Sequence, residues 1–275
     1  MYLILFLTTG LWGCSDDDKS SDAPVKLEAQ TLKNVSYGAD SEQKIDIYLP
    51  ERINNNSTKV LFLVHGGGWS SGTKEDMTAS VTIAKQLFPD HAFVNIGYRL
   101  ATTASPAYPK QIDDIKSVIS FIEKSGYSLS QNYAFLGVSA GAHLSMLYAY
   151  GFDPDHHVKA VCSIVGPTDF NDPAYAESPI AAALVPYLTS DITPDFLAEV
   201  SPISHVSATV APTIQFMGND DPLIPASQGP RLKMKLDSFD VSNELHIYNA
   251  GHGDFSLVDT QDIYAKLGVF FSAHF

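Results

Sequence analysis

Four short segments of this 275-residue chain hold residue types that do chemistry only in combination. Gly137-Val138-Ser139-Ala140-Gly141 sets a serine between glycines, and His65-Gly66-Gly67-Gly68-Trp69 strings glycines behind an apolar run. Gly218-Asn219-Asp220-Asp221-Pro222 offers two carboxylates, and Ala250-Gly251-His252-Gly253-Asp254 offers a histidine in a glycine-flanked loop. A serine hydroxyl is a weak nucleophile near neutral pH, so it needs a general base, and an imidazole base needs an acid to hold its tautomer. Acyl transfer also builds negative charge on a carbonyl oxygen, which backbone N–H groups can meet if no side chain keeps them away. Together these residue types describe nucleophilic acyl transfer.

Ser139 follows the strand-like run Tyr133-Ala134-Phe135-Leu136 and opens an apolar segment, Ala140 to Tyr150, that reads as a helix. A strand-to-helix turn of this kind lifts the hydroxyl into an open crevice, the nucleophile elbow. Nine histidines compete as the base. In the α/β arrangement that carries such an elbow, Ser, then Asp or Glu, then His follow one another along the chain, each on a loop after a strand. His252 alone combines a late position with a glycine-flanked loop. His143 lies four residues after the serine on the same helix and reads as a packed residue with a satisfied ring, while His205 reads as structural. His65 borders a strand run, His91, His156 and His157 fall in polar loops, and His246 falls within a strand pattern. The acid is Asp220 or Asp221. Gly67 and Gly68, with Ala140 after the nucleophile, are the expected oxyanion donors. No spacing among the histidines suggests a metal site, with no His-Glu-x-x-His pattern, and the lack of a G-x-x-x-x-G-K-[ST] pattern argues against phosphate cradling by the glycine run. No cofactor is expected, since these side chains and backbone donors suffice for the chemistry.

These loops need a scaffold that delivers them to one edge. Short β-rich runs alternate with longer helical patterns, which predicts a three-layer α/β domain, a mostly parallel eight-stranded sheet with helices on both faces. Leu32–Tyr37 and Lys44–Leu49 are read as an opening hairpin. Val60–Val64, Ala92–Ile96, Tyr133–Val138, Lys159–Ile164, Thr213–Met217 and Glu244–Tyr248 are read as the parallel set. Ile112, Ile115, Val118, Ile119 and Ile122 recur at helical spacing, so Lys110 to Ser125 is expected to be an amphipathic helix docked on the sheet. Asp169 to Ser204 breaks the rhythm with several prolines and a helical stretch at Ala181 to Leu188. It is expected above the carboxyl edge of the sheet, where ligands bind in open α/β folds.

Net charge is −14, from 31 acidic against 17 basic residues, which argues against nucleic acid as a partner. The first residues read separately. Tyr2 to Trp12 is apolar but too short to span a bilayer, and Leu11-Trp12-Gly13-Cys14 resembles a bacterial lipobox. On that reading residues 1–13 are a signal peptide, Cys14 carries lipid, 14–24 form an acidic tether and 25–275 the catalytic domain. Trp12 and the lack of a preceding Lys or Arg depart from the lipobox pattern. Ser15-Asp16-Asp17-Asp18 resembles the acidic export signal of some Gram-negative surface lipoproteins, with an ordinary acidic linker as the alternative; the expected location is extracytoplasmic, anchored by lipid to the outer membrane or cell surface. The other cysteine, Cys162, sits in an apolar run and reads as core.

Taken together, His65-Gly66-Gly67-Gly68-Trp69, Tyr98-Arg99-Leu100, the Ser139 elbow, Asp221 and Gly251-His252 resemble the α/β-hydrolase superfamily. Within it the chain is most similar to the bacterial esterases of the BD-FAE type, over about residues 30 to 275. The resemblance favours Asp221 as the acid, because similar hydrolases carry Asp-Pro-Val-Val-Pro where this chain has Asp221-Pro222-Leu223-Ile224-Pro225. It implies a structural pair of Arg99 with Asp113 or Asp114, and acyl or aryl contacts, or else core packing, for Trp69 and Tyr98. It also implies a serine carboxylesterase acting on short-acyl or hydroxycinnamoyl esters, on small molecules or on polysaccharide. An arylformamidase-type amide hydrolase and a non-catalytic hydrolase-fold binding protein are the alternatives.

Overall fold

A computed structural model describes residues 28–51 and 57–275. The signal peptide and tether read at 1–24, Cys14 included, lie outside the described residues.

Val60-Leu61-Phe62-Leu63-Val64 contains no residue that tolerates water, and it becomes β3 at the centre of the sheet with every residue fully buried. Such continuous apolar runs are what a parallel strand covered on both faces requires. The sheet consists of β1 (Gln30–Ser36), β2 (Lys44–Leu49), β3 (Val60–Val64), β4 (Ala92–Ile96), β5 (Tyr133–Val138), β6 (Val158–Ile164), β7 (Thr213–Gly218) and β8 (Asn243–Tyr248). Their order is β1-β2-β4-β3-β5-β6-β7-β8. β1 and β2 form an antiparallel hairpin, β2 meets β4 antiparallel, and all remaining pairs are parallel.

Alternation along β3 divides the core in two. Val60, Phe62 and Val64 face one layer with α2 (Lys110–Lys124), α3 (Ala140–Gly151) and α7 (Gln228–Asp237). Leu61 and Leu63 face the other, packed with α1 (Thr78–Leu87) and α8 (Leu257–His274). The five isoleucines and valines predicted as the stripe of α2 are all buried. The helix stops at Lys124, one residue before the expected end, because Ser125 turns its N–H back to Ile122 O as the C-cap. The first strand starts earlier than predicted and ends at Ser36. A register shift between Leu32 and Val35, with Asn34 at φ 56°, twists this edge, and Tyr37 leaves it to donate its hydroxyl to Gly97 O at 2.8 Å. β6 and β8 each begin one residue before the predicted start.

The segment after β6 forms three short helices, α4 (Pro173–Glu177), α5 (Pro179–Leu188) and α6 (Pro194–Glu199). Asp172 and Ser178 cap the first two by accepting from Ala174 N and Ala181 N. Tyr187 O and Leu188 O accept the N–H groups of Ala107 and Tyr108, and Arg231 on α7 reaches Asp169, so the inserted segment is tied to the body at several points. It does lie over the carboxyl edge: a Cβ placed on Gly68 would meet Leu184 Cδ2 of α5 at 3.2 Å. Among the described residues, no helix is long and apolar enough to cross a membrane.

Candidate active site

The elbow is built from close approach. β5 runs directly into α3 through Ser139, whose φ of 52° and ψ of −120° lie outside the regions an L-residue prefers. The turn is held because Ser139 N donates to Ile164 O at 2.8 Å. A Cβ on Gly137 would sit 2.4 Å from Gly141 O, and one on Gly141 would sit 2.2 Å from Val64 O. No residue but glycine fits either position while the backbones stay where they are.

Asp221 follows β7 and His252 follows β8, so adjacent parallel strands deliver both loops to the same edge as Ser139. His252 Nδ1 lies 2.8 Å from Asp221 Oδ2, and His252 Nε2 lies 2.8 Å from Ser139 Oγ. A carboxylate only accepts, so the partners assign the proton to Nδ1 and leave the Nε2 lone pair facing the serine hydroxyl. Asp221 is itself fixed: its side chain is fully buried, and Oδ1 accepts from Leu223 N at 2.8 Å and Ile224 N at 2.9 Å. The neighbouring Asp220 is exposed, and only its backbone N–H acts, donating to Ala250 O to brace the turn.

The glycine run is oriented from its carbonyl side. Tyr98 Oη donates to His65 O at 2.8 Å and more weakly to Gly66 O at 3.3 Å. Ser70 N, Ser71 N and Ser71 Oγ all point to Gly67 O. Trp69 O accepts from Gln111 Nε2 at 2.7 Å and from Ala101 N at 2.9 Å. A peptide plane whose carbonyl is held on one side turns its N–H to the other. Gly67, Gly68 and Trp69 have φ of 108°, 54° and 61°, a run of left-handed conformations that costs least at glycine. A cavity of about 490 Å³ opens beside this loop and Ser139, lined also by Pro167, Leu184, Leu223, Ile224, Asp76 and His252.

The remaining candidates fall elsewhere. Arg99 pairs with the fully buried Asp114 through Nε and Nη2, while Asp113 is exposed beside Lys116. Tyr98 and Trp69 are buried at 1% and 3% exposure; Tyr98 packs in the core, whereas Trp69 contributes to the cavity wall. His65 is stacked flat on Tyr98 at 4.1 Å, and burial lowers its pKa. His143 is fully buried with both ring nitrogens engaged. His205 meets Glu199 O and His246 meets Glu244. Cys162 is buried in β6, and burial pushes its thiol pKa up, away from reactivity. Among the described residues, no group of three or more His, Cys, Asp or Glu is gathered to hold a metal.

Sequence reasoning missed the braces Tyr98 Oη and Gln111, because nothing in their local pattern says which carbonyl they meet. Of the apolar wall, Leu184 lies in the segment 169–204 expected over the ligand edge, whereas Leu223 and Ile224 were missed. Both stand just after Asp221-Pro222, and that proximity was the available signal.

An elbow serine, a histidine, a buried aspartate and a glycine loop at the carboxyl edge of an eight-stranded, mostly parallel sheet are the arrangement of the α/β-hydrolase fold. The chain belongs to the BD-FAE family, whose model matches residues 45–236. That match takes in the glycine loop, Ser139 and Asp221 and ends before His252. Esterase LipC of Mycobacterium tuberculosis is 29% identical over 252 residues, which is 82% of this chain and 60% of LipC. A kynurenine formamidase of Salmo salar is 31% identical over 125 residues, 43% of this chain and 38% of that protein. The chain thus spans 60% or less of these two curated relatives. A truncated carbohydrate esterase from gut microbiota shares the fold with a TM-score of 0.71 at 21% identity, over 89% of this chain and 98% of that one.

Proposed function

We propose that this protein is a serine carboxylesterase working through Ser139, His252 and Asp221. The observation that carries this reading is the unbroken hydrogen-bonded line from Asp221 through His252 to Ser139 at 2.8 Å per step, beside the glycine loop. His252 Nε2 takes the proton as Ser139 Oγ attacks the ester carbonyl, and Asp221 stabilises the imidazolium. The developing oxyanion is received by the N–H groups of Gly67, Gly68 and Ala140. His252 returns the proton to the departing alcohol, and water then cleaves the acyl-enzyme by the same route in reverse.

The substrate we propose is a short-acyl or hydroxycinnamoyl ester, free or attached to polysaccharide. Leu184, Leu223 and Ile224 supply apolar wall for such a group, and the family and the carbohydrate esterase of like fold point the same way. Lipidation of Cys14 and display at a Gram-negative cell surface form part of the proposal and rest on residues 11–18. Membrane attachment persisting in Cys14→Ala would end that part.

The formamidase relative favours a second reading, hydrolysis of an N-aryl formamide, which the same machinery could perform. One panel separates them: p-nitrophenyl acetate, longer acyl esters, methyl ferulate and N-formylkynurenine, with Ser139→Ala and His252→Ala beside the parent. Ester turnover lost in both variants is the expected result. Preference for the formamide moves the assignment to the amide hydrolase, and no turnover by the folded parent leaves a binding role.

A further inference from the structure

His143 lies one turn beyond the nucleophile on α3 and touches three parts of the site region at once. Its Nε2 is 2.7 Å from Val200 O, at the end of α6, and its Nδ1 is 3.2 Å from Trp69 Nε1 in the glycine loop. Its own backbone N–H closes the first turn of the helix on Ser139 O at 3.0 Å. Phe170 packs edge-on against the imidazole, with ring centroids 5.3 Å apart, and also against Trp69 at 5.9 Å.

The partners fix the tautomer. A carbonyl only accepts, so Nε2 carries the hydrogen; an indole N–H only donates, so Nδ1 must present its lone pair. Full burial lowers the pKa to about 4, with the nearby His205 adding to that effect, so the ring is neutral at ordinary pH. An imidazolium here would set a donor against the indole N–H.

Trp69 is the residue of the glycine loop that needs holding. It is a bulky side chain at φ 61°, directly after Gly67 and Gly68 in the same unfavourable region, where strain persists only if the surroundings impose it. The backbone is held by Gln111 and Ala101 at Trp69 O; the side chain is held by His143.

We infer that His143 is a positioning residue for the oxyanion loop: by accepting from Trp69 Nε1 while donating to Val200 O, it locks the aim of the Gly67 and Gly68 N–H groups relative to Ser139. This rests on the esterase reading above. It gives His143 a part in turnover where the sequence pattern indicates packing alone.

The test uses the full chain, with kcat and KM for p-nitrophenyl acetate normalised to sites titrated by a phosphonate ester, so that unfolded protein does not count. His143→Leu is expected to lower kcat about 10- to 100-fold with KM changed less than about 3-fold, since small misplacements of a catalytic group act on the transition state. His143→Gln, whose amide can accept from the indole and donate to Val200 O, is expected to recover most of that loss. Trp69→Phe removes the same bond from the other side and serves if His143→Leu does not fold; its kcat is expected to fall similarly, and adding His143→Gln to it should cost little more. A kcat per titrated site that stays at the parent value in His143→Leu or Trp69→Phe overturns the inference. If Ser139→Ala is inactive at the same time, the esterase reading survives that result, whereas activity in Ser139→Ala removes the reading itself.

Discussion

The two halves of the site are held by different means. At Ser139, the proposed nucleophile, backbone crowding sets the position: Gly137 and Gly141 approach the backbone of Gly141 and Val64 so closely that no Cβ fits, and β3 is fully buried. On the base side, His252 sits on a loop beyond the edge strand β8, its ring 21% exposed, and its position depends on side-chain hydrogen bonds. Asp221 holds the ring, and Asp254 accepts from Gly251 N within the same loop. The backbone of the Ser139 turn is thus fixed by the fold itself, so shifting it should cost stability. The His252 ring should be removable with the fold intact.

Substitutions can break this contrast. Asp221→Asn keeps an oxygen for Leu223 N and Ile224 N but turns an amide toward His252 Nδ1, favouring the wrong tautomer. Turnover should drop about 10⁴-fold, as the same exchange does in serine proteases, while the melting temperature changes little. Gly141→Ala should act in the opposite way, through stability, since the new methyl group would sit 2.2 Å from Val64 O. A cost above about 3 kcal/mol is expected by denaturant titration, with activity lost only as the protein unfolds.

Asp254→Ala removes the acceptor for Gly251 N, and with it the internal brace of the histidine loop; kcat should fall about 10-fold with an unchanged denaturation midpoint. Asp220→Asn should stay within about 2-fold of the parent, because its side chain is exposed and only its backbone N–H braces the turn. Similar losses from Asp220→Asn and Asp221→Asn would contradict the division of labour between these neighbours.

The same contrast explains what the sequence made legible. The central strands stand out because burial on both faces leaves β3 no polar residue, and Ser139 stands out because crowding demands glycine around it. His252 could be selected by its position after the last strand, and Asp221 only by family likeness, since two adjacent carboxylates have the same local pattern. Edges were read less well. β1 is mostly exposed and carries a register shift, so alternation marks its ends poorly. Periodicity does not mark α8, because Leu257, Val258 and Val269 on its exposed side blur the apolar stripe that Ile263, Leu267, Phe270 and Phe271 bury. The choice of Asp114 over Asp113 as the partner of Arg99 depends on which side of α2 faces the sheet. The links from Tyr98, Gln111 and His143 to the glycine loop span 32 to 74 residues, and no local spacing encodes them.

Peptide mapping after exposure to a p-nitrophenyl phosphonate ester asks whether Ser139 forms the covalent bond to the acyl group. Release of one p-nitrophenolate per chain is expected, with a phosphonyl mass on the peptide containing Ser139, labelling absent in Ser139→Ala and strongly slowed labelling in His252→Ala. Stoichiometric labelling of a different residue, or labelling that persists in Ser139→Ala, would rule Ser139 out as the nucleophile.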